Sequence, residues 1–474
     1  MTLPSLPGRI FLSDDSGVFC RWARIPGARE LDRKRQIGDG MARICIDGFN
    51  LALPAGSGIA TYARNLNSVI GSLGHETQIL FSAQRDLGAN NLLNQVALFD
   101  APSLKGVGAI QAVRRMFPLW RPQAHEIAMT GEVISADVAL RYPSAERFWA
   151  SRDIFHSANA AHGTFRRFTP LRLGPDIKTD IMHWTAPLPL IEPRIANVYT
   201  LHDLIPLRLP FTTLDNKRAY YDLCKKILDR ADRVFTVSEH SRQDIIRLLG
   251  ASEDRVVNTY QAVDVPARFL ERSADDVAGE LAGAFGLEAR GYFLYFGALE
   301  PKKNLRRIVE AFLSSDVKVP LVIVGRPWLD AEQKRRLRGK AAEPEVVPEA
   351  LLSLSGRVRR YEYLPFPSLM TLIQGARATL FPSLYEGFGL PVLEAMQLGT
   401  PVLTSTAGSL PEVAGDAALM VDPYDVDAIR RGIVALDSDA DLRNDLTEKG
   451  RRQAASFSVE RYRKRLQEAY APLL

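Results

Sequence analysis

The chain has 474 residues, of which 46% are hydrophobic and 24% charged, and its formal net charge is +5. Such a length predicts two or three domains, and the composition is that of a globular protein and excludes a disordered one. The small net charge argues against a nucleic-acid binder, although a pI of about 9.0 would suit a weak attraction to anionic lipid. Its three cysteines, Cys20, Cys45 and Cys224, are widely spaced, which favours reduced thiols in a cytoplasmic protein over a disulfide framework or a zinc site.

The first 40 residues lack the apolar core of a signal peptide, and no apolar stretch in the sequence has the length of a membrane-spanning helix. We expect residues 1–40 to be a poorly ordered extension or the result of an upstream start site, and we assign them no function. Met41 directly precedes RICIDG, the first segment with the pattern of a strand. The folded part is therefore predicted to begin at Met41.

From Met41 onwards, short apolar segments alternate with amphipathic ones, which is the pattern of parallel sheets covered by helices. In the first half, the segments predicted as strands are RICIDG, ETQILFS, DIMHW, NVYTLHD, DRVFTVS and RVVNTY. Helices are predicted over residues 59–73, 215–231 and 239–249. Residues 83–178 are less regular and rich in Arg, Pro and Gly, as expected of inserted substrate-specific loops.

The strand pattern stops around residues 266–290, where a helical segment intervenes, and then resumes. The strands predicted in the second half are YFLYFG, PLVIVG, RRYEYL, ATLFPS, PVLTS and ALMVD. Helices are predicted from Asn304, over residues 367–376 and from Leu390. The predicted fold class is therefore α/β, with two doubly wound Rossmann-like domains that face a central cleft.

We predict four segments along the chain. Residues 1–40 are the extension, 41–275 an N-terminal acceptor domain, and 276–456 a C-terminal domain for the donor nucleotide. Residues 457–474 form a C-terminal helix that could cross back to the N-terminal domain. The boundary between the two domains rests on the interruption of the strand pattern.

The segment EGFGLPVLEA contains two glutamates, Glu386 and Glu394, that are separated by seven residues. It follows a predicted strand, and its second part is predicted to be a helix. Gly387 and Gly389 would let the backbone approach a ligand closely, because they lack a Cβ atom. The N–H groups of the first helical turn favour a phosphate, and Glu394 is an acceptor-only group that suits the two hydroxyls of a ribose.

The segment FGALEPKKNL likewise follows a predicted strand and opens a helix. Lys302 and Lys303 would place ammonium groups over a diphosphate, where many phosphate sites use a divalent metal. A solvated helix N-terminus is the less favoured interpretation, because lysines at that position oppose the helix dipole. A surface loop is likewise the less favoured interpretation of the two glutamates.

Other polar residues are predicted to have structural roles. Asp425-Val426-Asp427 and Asp437-Ser438-Asp439 have the spacing of metal-binding pairs, but aspartates at the starts of helices are expected to be caps. Ser238 is likewise predicted to cap the helix that begins after it. We therefore expect no metal site.

Three motifs in this order, G-x-L-E-P-x-K-N, E-G-F-G-L-P-x-L-E-A and G-T-P-V, closely resemble those of the retaining nucleotide-sugar glycosyltransferases of family 4, which have the GT-B fold. The resemblance extends through nearly all of residues 41–470 and includes TLHDLIPLRLP and ADRVFTVSEHSRQDI. It implies transfer of a hexose, with GDP-mannose as the favoured donor, to a lipid-linked saccharide in surface-polysaccharide synthesis. It also implies a cytoplasmic enzyme at the inner face of the membrane, without a cofactor or a nucleic-acid partner.

The resemblance also assigns roles to site residues. Glu386 would bind hydroxyls of the transferred sugar, Lys303 would neutralise the departing diphosphate, and His202 would contact the donor sugar, so these three are the predicted catalytic residues. Glu394 would bind the nucleotide ribose. The other predicted donor-binding residues lie in the same loops, at the expected base site or after the first strand: Gly58, Gly297, Lys302, Tyr363, Gly387, Phe388, Gly389 and Leu390.

The chain departs from the family pattern next to Gly297, where Ala298 stands in place of a common arginine, and Lys302 is expected to compensate for it. Gly56 and Gly58 could equally be simple turn glycines. His202 could be a satisfied strand-end histidine, and Tyr363 could serve packing alone.

Two segments mix cations with aromatic residues, RRMFPLWRP and FRRF, and suit docking on a membrane surface as well as they suit a solvated surface. Two other functions stay open. A nucleotide-sugar epimerase would have the same fold class, and a non-catalytic scaffold of a polysaccharide-assembly complex would bind the donor without turnover.

Overall fold

A computed structural model describes residues 41–52, 58–83, 85, 87–88, 90–99, 121–130, 133, 143–176, 178–327 and 356–474. Residues Met41–Leu474 form one compact unit. Our expectations for residues 1–40, for Gly56 and for most of the RRMFPLWRP segment lie outside the described residues. Cys45 and Cys224 are buried free thiols, as predicted.

Strands and helices alternate in the first half. Its strands are β1 (Arg43–Asp47), β2 (Glu76–Ala83), β3 (Gln123–Ile127), β4 (Arg147–Arg152), β5 (Thr169–Pro170), β6 (Arg172–Leu173), β7 (Ile181–Trp184), β8 (Leu190–Ile191), β9 (Ala196–Thr200), β10 (Arg233–Thr236) and β11 (Val256–Asn258). Its helices are α1 (Gly58–Ser72), α2 (Asn91–Phe99), α3 (Ile154–Phe165), α4 (Ile205–Arg208), α5 (Lys217–Arg230), α6 (Glu239–Leu249), α7 (Ala267–Leu270) and α8 (Ala274–Phe285).

Within the residues that the structure describes, the second half repeats the alternation with fewer strands. These are β12 (Phe293–Phe296), β13 (Leu321–Val324), β14 (Val358–Tyr361), β15 (Ala378–Phe381), β16 (Val402–Ser405) and β17 (Leu419–Val421). The helices are α9 (Leu305–Leu313), α10 (Phe366–Gly375), α11 (Leu390–Gln397), α12 (Leu410–Ala414), α13 (Val426–Ser438), α14 (Ala440–Ala455) and α15 (Val459–Tyr470). Each strand and helix that we predicted is found.

The strands form two main sheets. The first has the spatial order β11-β10-β9-β7-β1-β2-β4-β3-β6 and the second β14-β13-β12-β15-β16-β17. The pairs within them are parallel except for β3 and β4, which are antiparallel. In the second sheet the chain order reverses between β12 and β15, and in the first sheet between β1 and β7. Ligands bind beyond the carboxyl ends of strands at such reversals, so both positions are relevant to function.

Side chains of both halves contribute to one extended apolar core. It includes Ile46 and Phe81 next to the first sheet and Tyr295 and Leu403 in the second. The strands at the centres of the sheets are buried on both faces, which explains why their sequences are nearly continuous apolar runs.

The last helix, α15, packs against the first half of the chain. Arg463 donates a hydrogen bond to the backbone oxygen of Ser72 at 2.9 Å, and the Tyr470 hydroxyl contacts Nδ1 of His183, a buried residue in β7. These contacts join the end of the chain to α1 and to the first sheet.

Candidate functional site

The loops that follow β12 and β15 are neighbours because these strands pair side by side. The backbone N–H of Leu384 donates to the oxygen of Lys302 at 2.8 Å. Asn304 has a left-handed backbone (φ 63°), and its buried amide donates to the oxygens of Pro382 and Pro423 at 2.8 and 2.7 Å. These contacts hold the lysine loop against the loop that carries the first glutamate.

Lys303 and Glu386 form a close ion pair at this junction. The distance from Lys303 Nζ to Glu386 Oε1 is 2.6 Å, and only 8% of Glu386 is exposed. Burial by itself would raise the pKa of Glu386, but the charges of Lys303 and Lys302 more than offset it, so that the pKa lies below its usual value. Glu386 is therefore ionised at neutral pH.

Lys302 has a carboxylate partner of its own. Its Nζ atom lies 3.1 Å from Oε2 of Glu300. Burial would lower the pKa of Lys302, but the carboxylates of Glu300, Glu386 and Asp203 raise it above its usual value. Lys302 is therefore cationic in a buried setting, where a charge interacts more strongly with a bound anion than it does in water.

Glu394 lies within α11 and is not ionised to the same degree as Glu386. Burial raises its pKa to about 7, and the nearby charge of Lys303 acts in the opposite direction. Lys303 thus acts electrostatically on both glutamates. The structure brings these three predicted residues into one neighbourhood at the reversal point of the second sheet.

The start of α11 carries backbone N–H groups without partners in the part of the chain that the structure describes. Among the described residues, the backbone N–H groups of Phe388 and Gly389 have no hydrogen-bond acceptor, while the Phe388 carbonyl accepts from Ser409 Oγ at 2.6 Å. Gly389 has a φ of 121°, and a Cβ atom there would lie 2.9 Å from a methyl group of Leu410. The helix therefore begins with free donors on a backbone that only glycine adopts readily.

Two other predicted residues lie at the rim of the second sheet. Gly297 follows β12 with a φ of 130°, and no atom lies within 4 Å of the position that its Cβ would take. Tyr363 is 62% exposed, and the guanidinium of Arg326 lies 4.8 Å from its ring centre. Arg326 is joined to the lysine loop, since its oxygen accepts from the N–H of Leu299 at 3.0 Å. Tyr363 and Arg326 are thus exposed side chains that lie beside this loop.

His202 follows β9, at the edge of the first sheet. Its Nε2 atom donates to the backbone oxygen of Thr185 at 2.9 Å, and the ring of Tyr62 packs edge-on at 4.8 Å. Burial lowers the pKa of His202, so the imidazole is neutral near pH 7. The histidine is therefore a neutral hydrogen-bonding group.

The two edges meet at Gly387. A Cβ atom there would lie 2.7 Å from Oδ2 of Asp203 and 2.9 Å from the backbone oxygen of His202, so only glycine fits without a rearrangement. Ser241 Oγ also donates to the oxygen of Gly387 at 3.3 Å. The glutamate loop of the second half therefore contacts the histidine segment of the first.

Several contacts between the halves were not predicted from the sequence. Tyr385 donates through its hydroxyl to Asp244 Oδ2 at 2.6 Å. The Glu412 carboxylate accepts from the N–H groups of Glu239 and His240, at 2.7 and 3.0 Å, and so caps α6 from the opposite half. These residues are far apart in the chain, and no local pattern in the sequence marks their pairing.

The remaining predicted residues lie elsewhere or have structural roles. Gly58 begins α1, is exposed, and has no atom within 4 Å of the place where a Cβ would lie, so nothing described links it to the lysine loop. Ser238, Asp425 and Asp439 accept hydrogen bonds from helical N–H groups, which confirms that they are caps. Within the described ranges, no three His, Cys, Asp or Glu side chains are grouped as metal ligands. No helix in those ranges is both long and apolar enough to cross a membrane.

Comparison with known families accounts for most of the chain. Residues 284–453 match "Glycosyl transferases group 1" and residues 56–266 match "Glycosyltransferase Family 4". The O-antigen chain mannosyltransferase B of Escherichia coli is 36% identical over 269 residues, which cover 56% of this chain and 67% of that protein. The serotype-specific mannosyltransferase WbdA of Escherichia coli is 30% identical over 281 residues, which cover 58% of this chain but only 33% of WbdA.

Solved structures show the same architecture. Sucrose-phosphate synthase from Thermosynechococcus elongatus superposes with a TM-score of 0.61 at 16% identity, over 91% of this chain and 99% of that one. WaaG, a glycosyltransferase involved in lipopolysaccharide biosynthesis, superposes with a TM-score of 0.56 at 14% identity, over 90% of this chain and 99% of WaaG. At these identities the likeness concerns the fold, which is the two-sheet arrangement of GT-B glycosyltransferases. The chain belongs to glycosyltransferase family 4, and the predicted family and fold class are both confirmed.

Proposed function

We propose that this protein is a retaining hexosyltransferase that moves mannose from GDP-mannose to a lipid-linked saccharide in surface-polysaccharide synthesis. The observation that carries the proposal is the 2.6 Å contact between Lys303 and Glu386, beside Glu394 and the N–H groups at the start of α11 that are unpartnered among the described residues. Two lysines, free backbone N–H groups and two carboxylates form a set that suits a diphosphate with a sugar on each side. The names of the relatives given above support mannose as the sugar.

In the proposed complex, Lys302, Lys303 and the N–H groups at Phe388 and Gly389 hold the diphosphate. Glu394 accepts hydrogen bonds from the ribose, and Glu386 binds hydroxyls of the mannose. Lys303 is paired with Glu386 before the donor binds, so the cation is already in position when the leaving group becomes charged. Stabilisation that needs no reorganisation during the reaction is the most effective kind.

The proposed reaction breaks the bond between the anomeric carbon and the diphosphate and forms a bond from that carbon to the acceptor oxygen. By analogy with the family, the acceptor attacks from the same face, and its proton passes to the leaving phosphate. His202 and Glu386 then bind sugar hydroxyls while positive charge develops on the ring. The contacts of Gly387 with Asp203 and His202 bring the two edges together and would keep water from the donor.

We also propose the domain assignment given above, with residues 41–275 for the acceptor and 276–456 for the donor. Contact with the cytoplasmic face of the membrane is a further part of the proposal. In the segment FRRF, Phe165 is 52% exposed, whereas Arg166 lies 3.6 Å from Asp222 and Phe168 is partly buried. Phe165 is thus the residue of this segment that is most available to lipid, and flotation with anionic vesicles would test Phe165→Ser against the wild type.

A thermal-shift panel tests the donor. GDP and GDP-mannose should stabilise the protein more than UDP, ADP or their sugars, because a ligand that binds only the folded state raises its stability by mass action. Lys303→Ala and Glu394→Ala should reduce the shift. Lys225→Ala is a matched control, since Lys225 donates to the Leu249 oxygen away from this site. Equal shifts with all nucleotides would contradict the GDP assignment.

A transfer assay then separates the three functions. Mannose should appear on a lipid-linked acceptor in the same anomeric configuration as in the donor, as NMR of the product would show. Conversion of the donor sugar without an acceptor would instead identify an epimerase. Donor binding without any turnover across an acceptor panel would identify a scaffold.

A further inference from the structure

Asp47 is a buried carboxylate that the proposed reaction does not use. It is the last residue of β1, is 0% exposed, and lies where the chain order reverses in the first sheet. Its Oδ1 atom accepts from the N–H of Phe49 at 3.2 Å, and its Oδ2 atom accepts from the N–H of Thr185. A charged group is rarely buried so completely without a specific reason.

Thr185 connects Asp47 to the site. It is buried directly after β7, the neighbour of β1, and its N–H points to Asp47 while its carbonyl accepts from Nε2 of His202 at 2.9 Å. A carbonyl oxygen can only accept a hydrogen bond, so Nε2 must carry the hydrogen. In a neutral imidazole the lone pair is then on Nδ1, which makes no hydrogen bond with the described residues.

The rest of the His202 environment restrains the ring but does not choose its tautomer. Tyr62 packs edge-on against the ring, with an angle of 86° between the planes. The Tyr62 hydroxyl forms a hydrogen bond with Thr200 Oγ1 at 2.8 Å. The same Thr200 oxygen lies 2.7 Å from Nε2 of His183. None of these contacts involves a nitrogen of His202. The Thr185 carbonyl is therefore the group that selects the tautomer.

We propose that Asp47 is a positioning residue that, through Thr185, holds His202 with the hydrogen on Nε2 and the lone pair on Nδ1 available to a sugar hydroxyl. The part that concerns the sugar rests on the proposed function. A carboxylate suits this task because both of its oxygens accept, one from Phe49 and one from Thr185. An asparagine offers one accepting oxygen, and its amide group would face one of the two N–H groups.

The test combines spectroscopy and kinetics on Asp47→Asn. Nitrogen-15 NMR of the histidine rings in deuterated protein distinguishes the two tautomers, and the signals of His202 are assigned by their loss in His202→Gln. We expect the wild type to carry the hydrogen on Nε2 and Asp47→Asn to populate the Nδ1–H form. The kcat for transfer should fall about tenfold, the effect of weakening one hydrogen bond to the reacting sugar, while the Kd of GDP is unchanged.

Asp232→Asn is the matched control. Asp232 also accepts from a backbone N–H, that of Asn197 at 2.7 Å, but at the opposite end of the sheet. This variant should keep the wild-type tautomer and kcat. Hydrogen on Nδ1 in the wild type would overturn the proposal without any variant, even if Asp47→Asn did not fold. An unchanged tautomer or an unchanged kcat in folded Asp47→Asn would overturn it as well.

The outcome is distinguishable from failure of the proposed function. If the wild type transferred no sugar, the proposed function would fall, and the tautomers of the wild type and Asp47→Asn would still decide whether Asp47 positions His202. If transfer occurred but Asp47→Asn behaved like Asp232→Asn, the positioning role alone would fall.

Discussion

The edges of the two sheets differ in how they hold their polar residues. At the second sheet, the groups are ionic: Lys303 pairs with Glu386, and Lys302 pairs with Glu300. At the first sheet, His202 is neutral and is held by a backbone carbonyl and an aromatic ring. Under the proposed function, this difference would divide the tasks: one edge would handle the charge of a diphosphate, and the other would orient uncharged hydroxyls.

The two glutamates of EGFGLPVLEA lie at the edge of the second sheet but differ in pKa. Glu386 has a lowered pKa because it lies against the lysines, whereas burial raises the pKa of Glu394 to about 7. Residues on the same short segment thus differ in charge at neutral pH. The lysines account for the difference: Lys303 bonds directly to Glu386 and Lys302 also acts on it, whereas Lys303 alone acts on Glu394.

The largest effect is expected at the edge of the second sheet, which carries the ion pairs. Lys303→Ala should lower kcat by about 10²–10³-fold, as expected when a preorganised group that stabilises developing charge is lost. Steady-state transfer from GDP-mannose is the measurement, with Lys225→Ala as the control. A kcat within a few-fold of the wild type would mean that this edge does not stabilise the leaving group.

A substitution at the edge of the first sheet should lower kcat less and should leave GDP binding unchanged. His202→Ala should lower kcat about tenfold, the loss of one hydrogen bond to the sugar. Isothermal titration should find the same Kd for GDP as in the wild type, because GDP lacks the transferred hexose that His202 is proposed to contact. If His202→Ala weakened GDP binding as much as Lys303→Ala, the division of tasks would be wrong.

The pKa of Glu394 predicts a pH-dependent stability. Because burial raises this pKa from 4.5 to about 7, the folded protein binds the proton more tightly than the unfolded chain does. This contribution to stability is fully present below about pH 4.5 and is lost as the pH rises through about 7. Glu394→Gln should therefore have a Tm above that of the wild type by about 2–4 °C at pH 8, and the gap should be smaller at pH 5.

The melting temperature of Glu386→Gln should change in the opposite direction to that of Glu394→Gln. Glu386 has a lowered pKa, so its ionised form stabilises the folded protein at neutral pH, and Glu386→Gln should lower the Tm at pH 8. Thermal denaturation followed by circular dichroism would check both variants. Shifts of the same sign at pH 8 would contradict the different charge states of the two glutamates.

The smallest effect concerns the contact between the edges. Tyr385→Phe removes the hydrogen bond to the buried Asp244 carboxylate, which should cost about 1 kcal/mol and lower the Tm by about 1–2 °C. Tyr424→Phe is the control, because Tyr424 is 53% exposed. Equal melting temperatures for the two variants would show that Tyr385 contributes nothing to the association of the halves.

Much of the fold could be predicted from local patterns. Buried parallel strands such as LVIV in β13 and FLYF in β12 are continuous apolar runs, and amphipathic helices such as α6 begin after a capping serine. The strands that were missed, β3 to β6 and β8, lie in a stretch rich in Arg and Pro. Two of them have arginines at their ends, and three have two residues each, too few for a period to be recognised.

The sequence by itself determined the alternation of strands and helices, the capping residues and the motifs with Lys303, Glu386 and Glu394, because these depend on residues that are close in the chain. Only the tertiary structure decided that Lys303 bonds to Glu386, that Gly387 lies against Asp203, and that Asp47 holds Thr185. These contacts join segments far apart in sequence, and the order of strands in each sheet determines which loops meet. The charge states of Glu386, Glu394 and His202 also depend on the tertiary structure, since burial and neighbouring charges are properties of the folded chain.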